Sequence, residues 1–391
     1  MRAFGAAGLA IAAVALFAAA AARTLPAYDV VSYWPHLLSP QGEPPPGWSD
    51  AETSLAPTAC GSCHADQLAQ WQTSRHAQAM SPGVVGQLLT FETGDAADCM
   101  QCHAPLAEQR AAFEAARIAG AAQPYDRLGL AAAGNSCGGC HVRSYHRYGP
   151  PQRGTGAIGQ SETTSIHGGV IREKFFESSE FCARCHQFTN DPGVNGKPLE
   201  NTYAEWQASP QAAKGQVCQT CHMPDRRHLW RGIHDPDMVR SGLTMHYSSA
   251  AEGVRFEIVN TGVGHAFPTY AVPKIVMHAV ALNVAGSPVP VTEVTRVIAR
   301  EVGYDNGVWR ELSDTRLMPS QSAAIELPWS GYERARFWLD VIPDRYYASA
   351  FYPALLKDAP LDAPSTALIA KAAAIVAASP YRLFETEVHR P

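Results

Sequence analysis

The apolar pattern changes character twice along the chain. From Ala3 to Ala22 an uncharged run rich in Ala, Leu, Ile, Val and Phe follows the single positive charge of Arg2. About 20 apolar residues can span a bilayer, but Ala20-Ala21-Ala22 before Arg23 also offers small-residue cleavage. Residues 1–23 therefore read as a signal peptide or an N-terminal membrane anchor, and either way the rest of the chain is exported. No later run is apolar for long enough to cross a membrane. Residues 24–58 read as a Pro-rich linker, stiffest at Pro44-Pro45-Pro46-Gly47. Asp66 to Met80 reads as a helix.

Near residue 250 the pattern turns to alternation. Val254, Phe256 and Ile258 alternate with Arg255 and Glu257, the period of a half-buried strand. Further strand-like runs lie at Ile275–Val284, Thr295–Tyr304, Val308–Leu312, Ala323–Leu327 and Ala335–Val341, with Asp305-Asn306-Gly307 as a hairpin signal. Short strands with turns between them predict a β-sandwich over residues 249–350. Residues 351–391 are expected to hold a C-terminal helix and tail. Asp362 and Pro364 open that helix, Leu368, Ile369, Ala372, Ile375 and Val376 share a face, and Ser379-Pro380 ends it. Its apolar face is expected to pack against the sandwich.

Between these regions, residues 59–248 hold every cysteine. The ten form five C-x-x-C-H motifs: Cys60, Cys63 and His64; Cys99, Cys102 and His103; Cys137, Cys140 and His141; Cys182, Cys185 and His186; Cys218, Cys221 and His222. Two thiols three positions apart reach the two vinyl groups of one porphyrin, and the next residue lies beneath the iron; this is the c-type haem attachment sequence. Zinc ribbons use cysteine pairs two at a time and give no reason for a histidine after each pair. Five thioredoxin-like motifs would need five βαβ settings, and none is visible. The expected cofactor is haem c, five per chain and covalent.

From Cys60 to His222 the chain allots roughly thirty residues to each motif, too few for an apolar core apiece. The porphyrins must then be the core, in a mainly α domain with little regular structure. Haems so crowded exchange electrons. With 46% hydrophobic residues the chain can also build a real core elsewhere, and a net charge of −5 excludes the basic footprint of a nucleic-acid binder.

Ten histidines lie outside the motifs, enough to give each iron a second imidazole, a ligation of lower potential than His/Met. His76 lies twelve residues after His64. In a straight helix that is about 18 Å and a third of a turn out of phase, so His76 is expected to serve a different haem. Trp71-Gln-Thr-Ser74-Arg-His76-Ala77 is echoed by Trp206-Gln-Ala-Ser209-Pro-Gln211-Ala212, so the shared Trp and Ser read as packing and capping residues. His265 stands among Gly262, Gly264, Phe267 and Pro268, a setting that permits close approach to a porphyrin edge. His234 has Asp235 beside it to polarise the ring. His167 and His228 complete the expected set of second ligands, with His146 and His246 in reserve. His278 reads as a sheet residue, His36 and His389 as surface residues.

These residues resemble the multihaem cytochromes related to cytochrome c-554. The resemblance is carried by Cys60-x-x-Cys63-His64 with Trp71, Ser74, His76 and Ala77; by Ser179-Glu-Phe181 before Cys182, with Gln187 and Phe188 after His186; and by Thr202-Tyr-x-Glu-Trp206-x-x-Ser209 leading to Cys218 and Met223-Pro224. It covers roughly residues 58 to 270, and Gly264-His265-x-Phe-Pro-Thr269 looks like the segment that joins such domains to a β-domain. It implies a periplasmic or surface electron carrier, with His/His haems in closely stacked pairs and redox proteins as donor and acceptor. It also implies enzymatic relatives, the pentahaem nitrite reductases and the hydroxylamine oxidoreductases. The former bind their active haem through CxxCK, whereas all five motifs here end in histidine, and the latter carry more haems. The expectation is periplasmic electron transfer; the alternative is an oxidoreductase with one open haem acting on a small nitrogen or sulfur compound.

Overall fold

The computed structural model describes residues 30–35, 38–118, 128–160, 166–189, 194–305 and 308–391. Its first part is helical and loop-rich: α1 (Ala65–Gln72), α2 (Pro82–Leu88), α3 (Thr93–His103), α4 (Ala107–Ile118) and α5 (Thr202–Gln207), with short helices of one or two turns at the remaining motifs. A short β-ladder over residues 142–149, 159–160 and 171–172 lies beside the third motif. The expected helix over Asp66–Met80 stops at Gln72. Thr73 and Ser74 turn their side chains back onto the carbonyls of Gln70 and Trp71, 2.8 and 2.7 Å away, and residues 73–80 continue as turns.

The second part is an antiparallel sandwich. One sheet runs β7 (Ser322–Pro328), β2 (Gly253–Asn260), β1 (Leu243–Ser249). The other runs β9 (Tyr381–His389), β8 (Arg334–Ile342), β3 (Lys274–Leu282), β4 (Val294–Ile298). Strict alternation explains the layering: every second residue of β8, from Ala335 to Val341, is buried while its neighbours are half-exposed. Phe256 of one sheet stacks on Phe337 of the other, centroids 4.6 Å apart, at the centre of the shared core. The hairpin of β5 (Arg300–Asp305) and β6 (Val308–Asp314) pairs Asp305 with Val308; the tip, Asn306-Gly307, lies outside the described residues.

The structure departs from expectation in four places. The sandwich begins at Leu243 rather than 249, and the C-terminal tail is its edge strand β9, paired with β8. The C-terminal helix α6 (Ala363–Ala377) packs on α2 of the haem-motif domain, not on the sandwich. Two glycines flatten α2 for it: a Cβ at Gly83 would run into the Tyr352 hydroxyl, and one at Gly86 would lie 2.9 Å from Ile369 Cδ1, the end of a fully buried side chain. The segment read as a linker is docked where it is described. Tyr33, Trp34, Leu38 and Leu55 are buried against Leu106, Val142, Phe175 and Phe176, and the Arg143 guanidinium sits 4.1 Å from the Tyr33 ring centroid. Residues 1–29, with the expected leader or anchor, lie outside the described residues. No described helix is long and apolar enough to cross a membrane.

Candidate haem centres

A single helical turn explains how each motif presents its ligands. Positions i, i+3 and i+4 share one helix face, so one turn aims two thiols and an imidazole the same way. Cys137–His141 and Cys218–His222 are such turns, and the second and fourth motifs end α3 and the helix Glu180–His186. At the first motif the helix ends at Gly61, yet the His64 N–H still donates to the Cys60 carbonyl at 2.9 Å. None of the ten thiols is joined in a disulfide.

Thiols of different motifs meet in three places: Cys60 with Cys137, Cys102 with Cys185, and Cys182 with Cys218. The first motif thus adjoins the third, the second the fourth, and the fourth the fifth. Backbone anchoring holds the last junction, since Cys218 N–H donates to Ser179 Oγ at 3.0 Å and Gln219 Nε2 donates to the Ser178 carbonyl at 2.7 Å.

Three motif histidines face a second imidazole. The ring centroids of His186 and His76 are 6.3 Å apart, those of His222 and His265 6.4 Å at an interplanar angle of 11°, and those of His141 and His228 6.1 Å. Two imidazole nitrogens each about 2 Å from a shared metal place their ring centroids about 6 Å apart, so these gaps fit one iron each. Burial, reinforced by neighbouring imidazoles, pulls His76 down to about 3 and His186, His228 and His265 to about 4. All four are neutral at neutral pH, the state a metal ligand needs.

The other ring nitrogen is also fixed. Nδ1 of His103, His141, His222 and His265 lies 2.6, 2.7, 2.7 and 2.9 Å from the carbonyls of Ala79, Tyr148, Arg231 and Ala266. A carbonyl only accepts, so Nδ1 carries the proton and Nε2 keeps a free lone pair. His167 follows the same rule, with Nδ1 3.1 Å from the Gly169 carbonyl. Its backbone is left-handed at φ 48°, and its N–H donates to Glu52 Oε1 at 2.9 Å. His64 lies near enough to His167, His141 and His228 to depress each, after burial. No ring-to-ring stacking geometry joins His64 to His167.

Expectation and structure part at His234. Its Nε2 is held 2.9 Å from Asp344 Oδ2, so the nitrogen an iron would need is already engaged. Asp235 does not polarise it; it caps the helix Pro236–Gly242 by accepting from the Met238 N–H at 2.9 Å. Among the described residues no second imidazole faces His103, and His36 lies outside them. His146 and His246 are exposed, as is His389 at the end of β9. His278 lies in β3 and stacks on Trp338 at 4.6 Å. Ser209 caps its short helix through the Ala212 N–H, and Ser74 accepts from the Ala77 N–H. Sequence reading missed Trp230, which packs edge-on against both His76 and His228, with centroids 4.7 and 5.3 Å away. A tryptophan two residues after a candidate ligand was the one available signal.

Residues 59–122, which hold the first two motifs, match the family model described as cytochrome c554 and c-prime. No curated protein matches the chain. Among solved structures, the chain is similar in fold to a penta-heme cytochrome c552 from Thermochromatium tepidum, with a TM-score of 0.58 and 17% identity over 87% of this chain and 100% of that one. The attachment motifs, the imidazoles set across from them and the cytochrome c554 and c-prime match over residues 59–122 together support a multihaem c-type cytochrome with covalently bound haem c as its cofactor.

Proposed function

We propose that the chain carries electrons through five covalently attached haems in the periplasm, between redox proteins that serve as donor and acceptor. The observation that carries this reading is the set of three facing imidazole pairs, His186 with His76, His222 with His265 and His141 with His228. An iron closed by two imidazoles has no open position for a substrate, and bis-histidine ligation favours low potential. Bound haem c supplies one-electron chemistry; the chain supplies closure, neutral ligands and spacing. His64 and His167 are assigned to the first motif, and the second ligand of the second motif is left open.

The thiol contacts give an order of travel. The first motif adjoins the third and the fourth adjoins both the second and the fifth, while Cys140 lies near enough to raise Cys182 and Cys185, after their closer partners. The route then runs from first to third to fourth to fifth, with the second as a branch. The test is the purified holoprotein. Mass spectrometry should find five haems per chain, and carbon monoxide added to the reduced form should bind no more than one of them. Fewer than four haems, or carbon monoxide at two or more, would overturn the proposal.

A further inference from the structure

The segment Thr202-Tyr-x-Glu-Trp206 is absorbed by neither haem attachment nor ligation, yet one face of α5 grips the loop that carries His265. Thr202 Oγ1 meets Thr269 Oγ1 at 2.5 Å. Glu205 Oε2 accepts the Ala266 N–H at 3.2 Å. Trp206 abuts Gly264, where an added Cβ would lie 3.3 Å from Trp206 Cδ1. Positions 202, 205 and 206 are i, i+3 and i+4, so all three contacts fall on a single helical stripe. From the same helix, Trp206 Nε1 donates to the Gln216 carbonyl at 2.9 Å, two residues before Cys218. One short helix therefore touches both sides of the gap between His222 and His265.

Glu205 sits at the centre of that stripe, 6% exposed. Its second oxygen accepts from Arg316 Nη1 at 3.1 Å. Arg316 in turn donates to the Thr269 carbonyl and chelates Asp314 with two bonds of 2.9 Å. Asn260 Nδ2 holds the His265 carbonyl at 3.1 Å, and Phe267 pairs with Leu317 through both backbone bonds. The His265 peptide is thus fixed on both sides. Glu205 is the charged group bonded to that peptide, with the Arg316 guanidinium behind it near enough to act on the imidazole.

We propose that Glu205 is the positioning residue of His265, fixing the imidazole against the iron of the fifth motif and, through its charge, lowering the potential of that iron alone. This rests on reading His222 and His265 as ligands of one iron. A buried carboxylate one hydrogen bond from the ligand's backbone stabilises the oxidised, more positive centre. A purely structural staple between the domains would hold the loop without favouring one oxidation state.

The experiment compares Glu205→Gln, Glu205→Ala and His265→Ala in the holoprotein by redox titration and by carbon monoxide binding to the reduced form. Glu205→Gln keeps an acceptor for the Ala266 N–H but removes the charge. The coordination of every haem is expected to stay as in the parent, with one midpoint raised and four unmoved. Glu205→Ala is expected to let part of that one haem bind carbon monoxide, and His265→Ala to open it fully. Should Glu205→Ala fail to assemble, the isosteric Gln variant still decides. If His265→Ala opens one haem while both Glu205 variants leave all five midpoints unchanged, Glu205 is only a staple and the inference falls. If His265→Ala opens none, the ligand reading itself falls.

Discussion

His76 faces His186 at 6.3 Å even though the helix expected to deliver it ends four residues earlier, at Gln72. A loop, not a helix face, carries this imidazole to the fourth motif. The Trp71 Nε1 bond to the Asn135 carbonyl and the Asn135 N–H bond to the His76 carbonyl tie that loop to the chain just before the third motif. His76→Ala is expected to open the iron of the fourth motif, so that one further haem binds carbon monoxide. Because this motif adjoins the second and the fifth, electron exchange between haems should also slow. An unchanged carbon monoxide titration would remove His76 from the ligand set.

His234 supplies the contrasting case. With Nε2 committed to Asp344, His234→Ala should leave every haem's coordination as it was. The lost hydrogen bond to a largely buried carboxylate is expected to cost about 1–2 kcal/mol of stability, read as a shift in denaturant midpoint. A newly opened haem in this variant would restore His234 as a ligand.

The attachment motifs were legible because their chemistry is local, five residues within one helical turn. The strands were legible where alternation was clean, as from Ala335 to Val341. What stayed hidden depended on contacts distant in sequence. Ile369 reads as an apolar helix position, but nothing local says that Gly86, far upstream, is the surface it meets. Tyr33 and Trp34 read as stray aromatics in a Pro-rich stretch until Val142 and Phe176 are beside them. Edge strand β9 escaped because Glu385 and Glu387 interrupt its apolar rhythm, and Arg336 of β8 pairs with both. The sequence set His234 beside its neighbour Asp235, whereas the contact it makes is to the remote Asp344.

The contact of α2 with α6 makes the C-terminal arm part of the shell around the second motif. Gly83→Ala forces a methyl into the Tyr352 hydroxyl, and overpacking of this kind typically costs about 1–3 kcal/mol. The arm should then detach before the sandwich unfolds, and limited proteolysis should cut between residues 352 and 377 faster than in the parent. Equal cutting rates would show that the arm does not depend on α2.

Folding should depend unequally on the cofactor. The sandwich has a continuous core from Val254 to Val388, whereas the described residues of the motif-bearing part form small local clusters, the larger of them near the second and third motifs. An apoprotein made without haem attachment is expected to keep a β-type circular dichroism signal and lose most helix. Protease should leave a resistant fragment starting near Leu243. A cooperative, helix-rich melt of the apoprotein would contradict this.

The last expectation concerns pH. Burial pushes the Glu200 carboxyl from its ordinary 4.5 up to about 7, against the opposing hydrogen bond from Thr202. A group whose folded value is raised holds its proton more tightly in the native state. Its contribution is therefore complete below pH 4.5 and is lost as pH rises through about 7. The shift corresponds to at most about 3 kcal/mol. Glu200→Gln replaces the protonated carboxyl with a neutral group of the same shape and removes the titration. Stability of the holoprotein, measured by denaturant at several values between about pH 5 and pH 8, should fall with rising pH in the parent and fall less in the variant. The difference should be confined to that window, because no other group is altered. Parallel pH profiles for parent and variant would mean that Glu200 is ionised in the folded protein, and that Arg316, which already lowers it in part, compensates it fully.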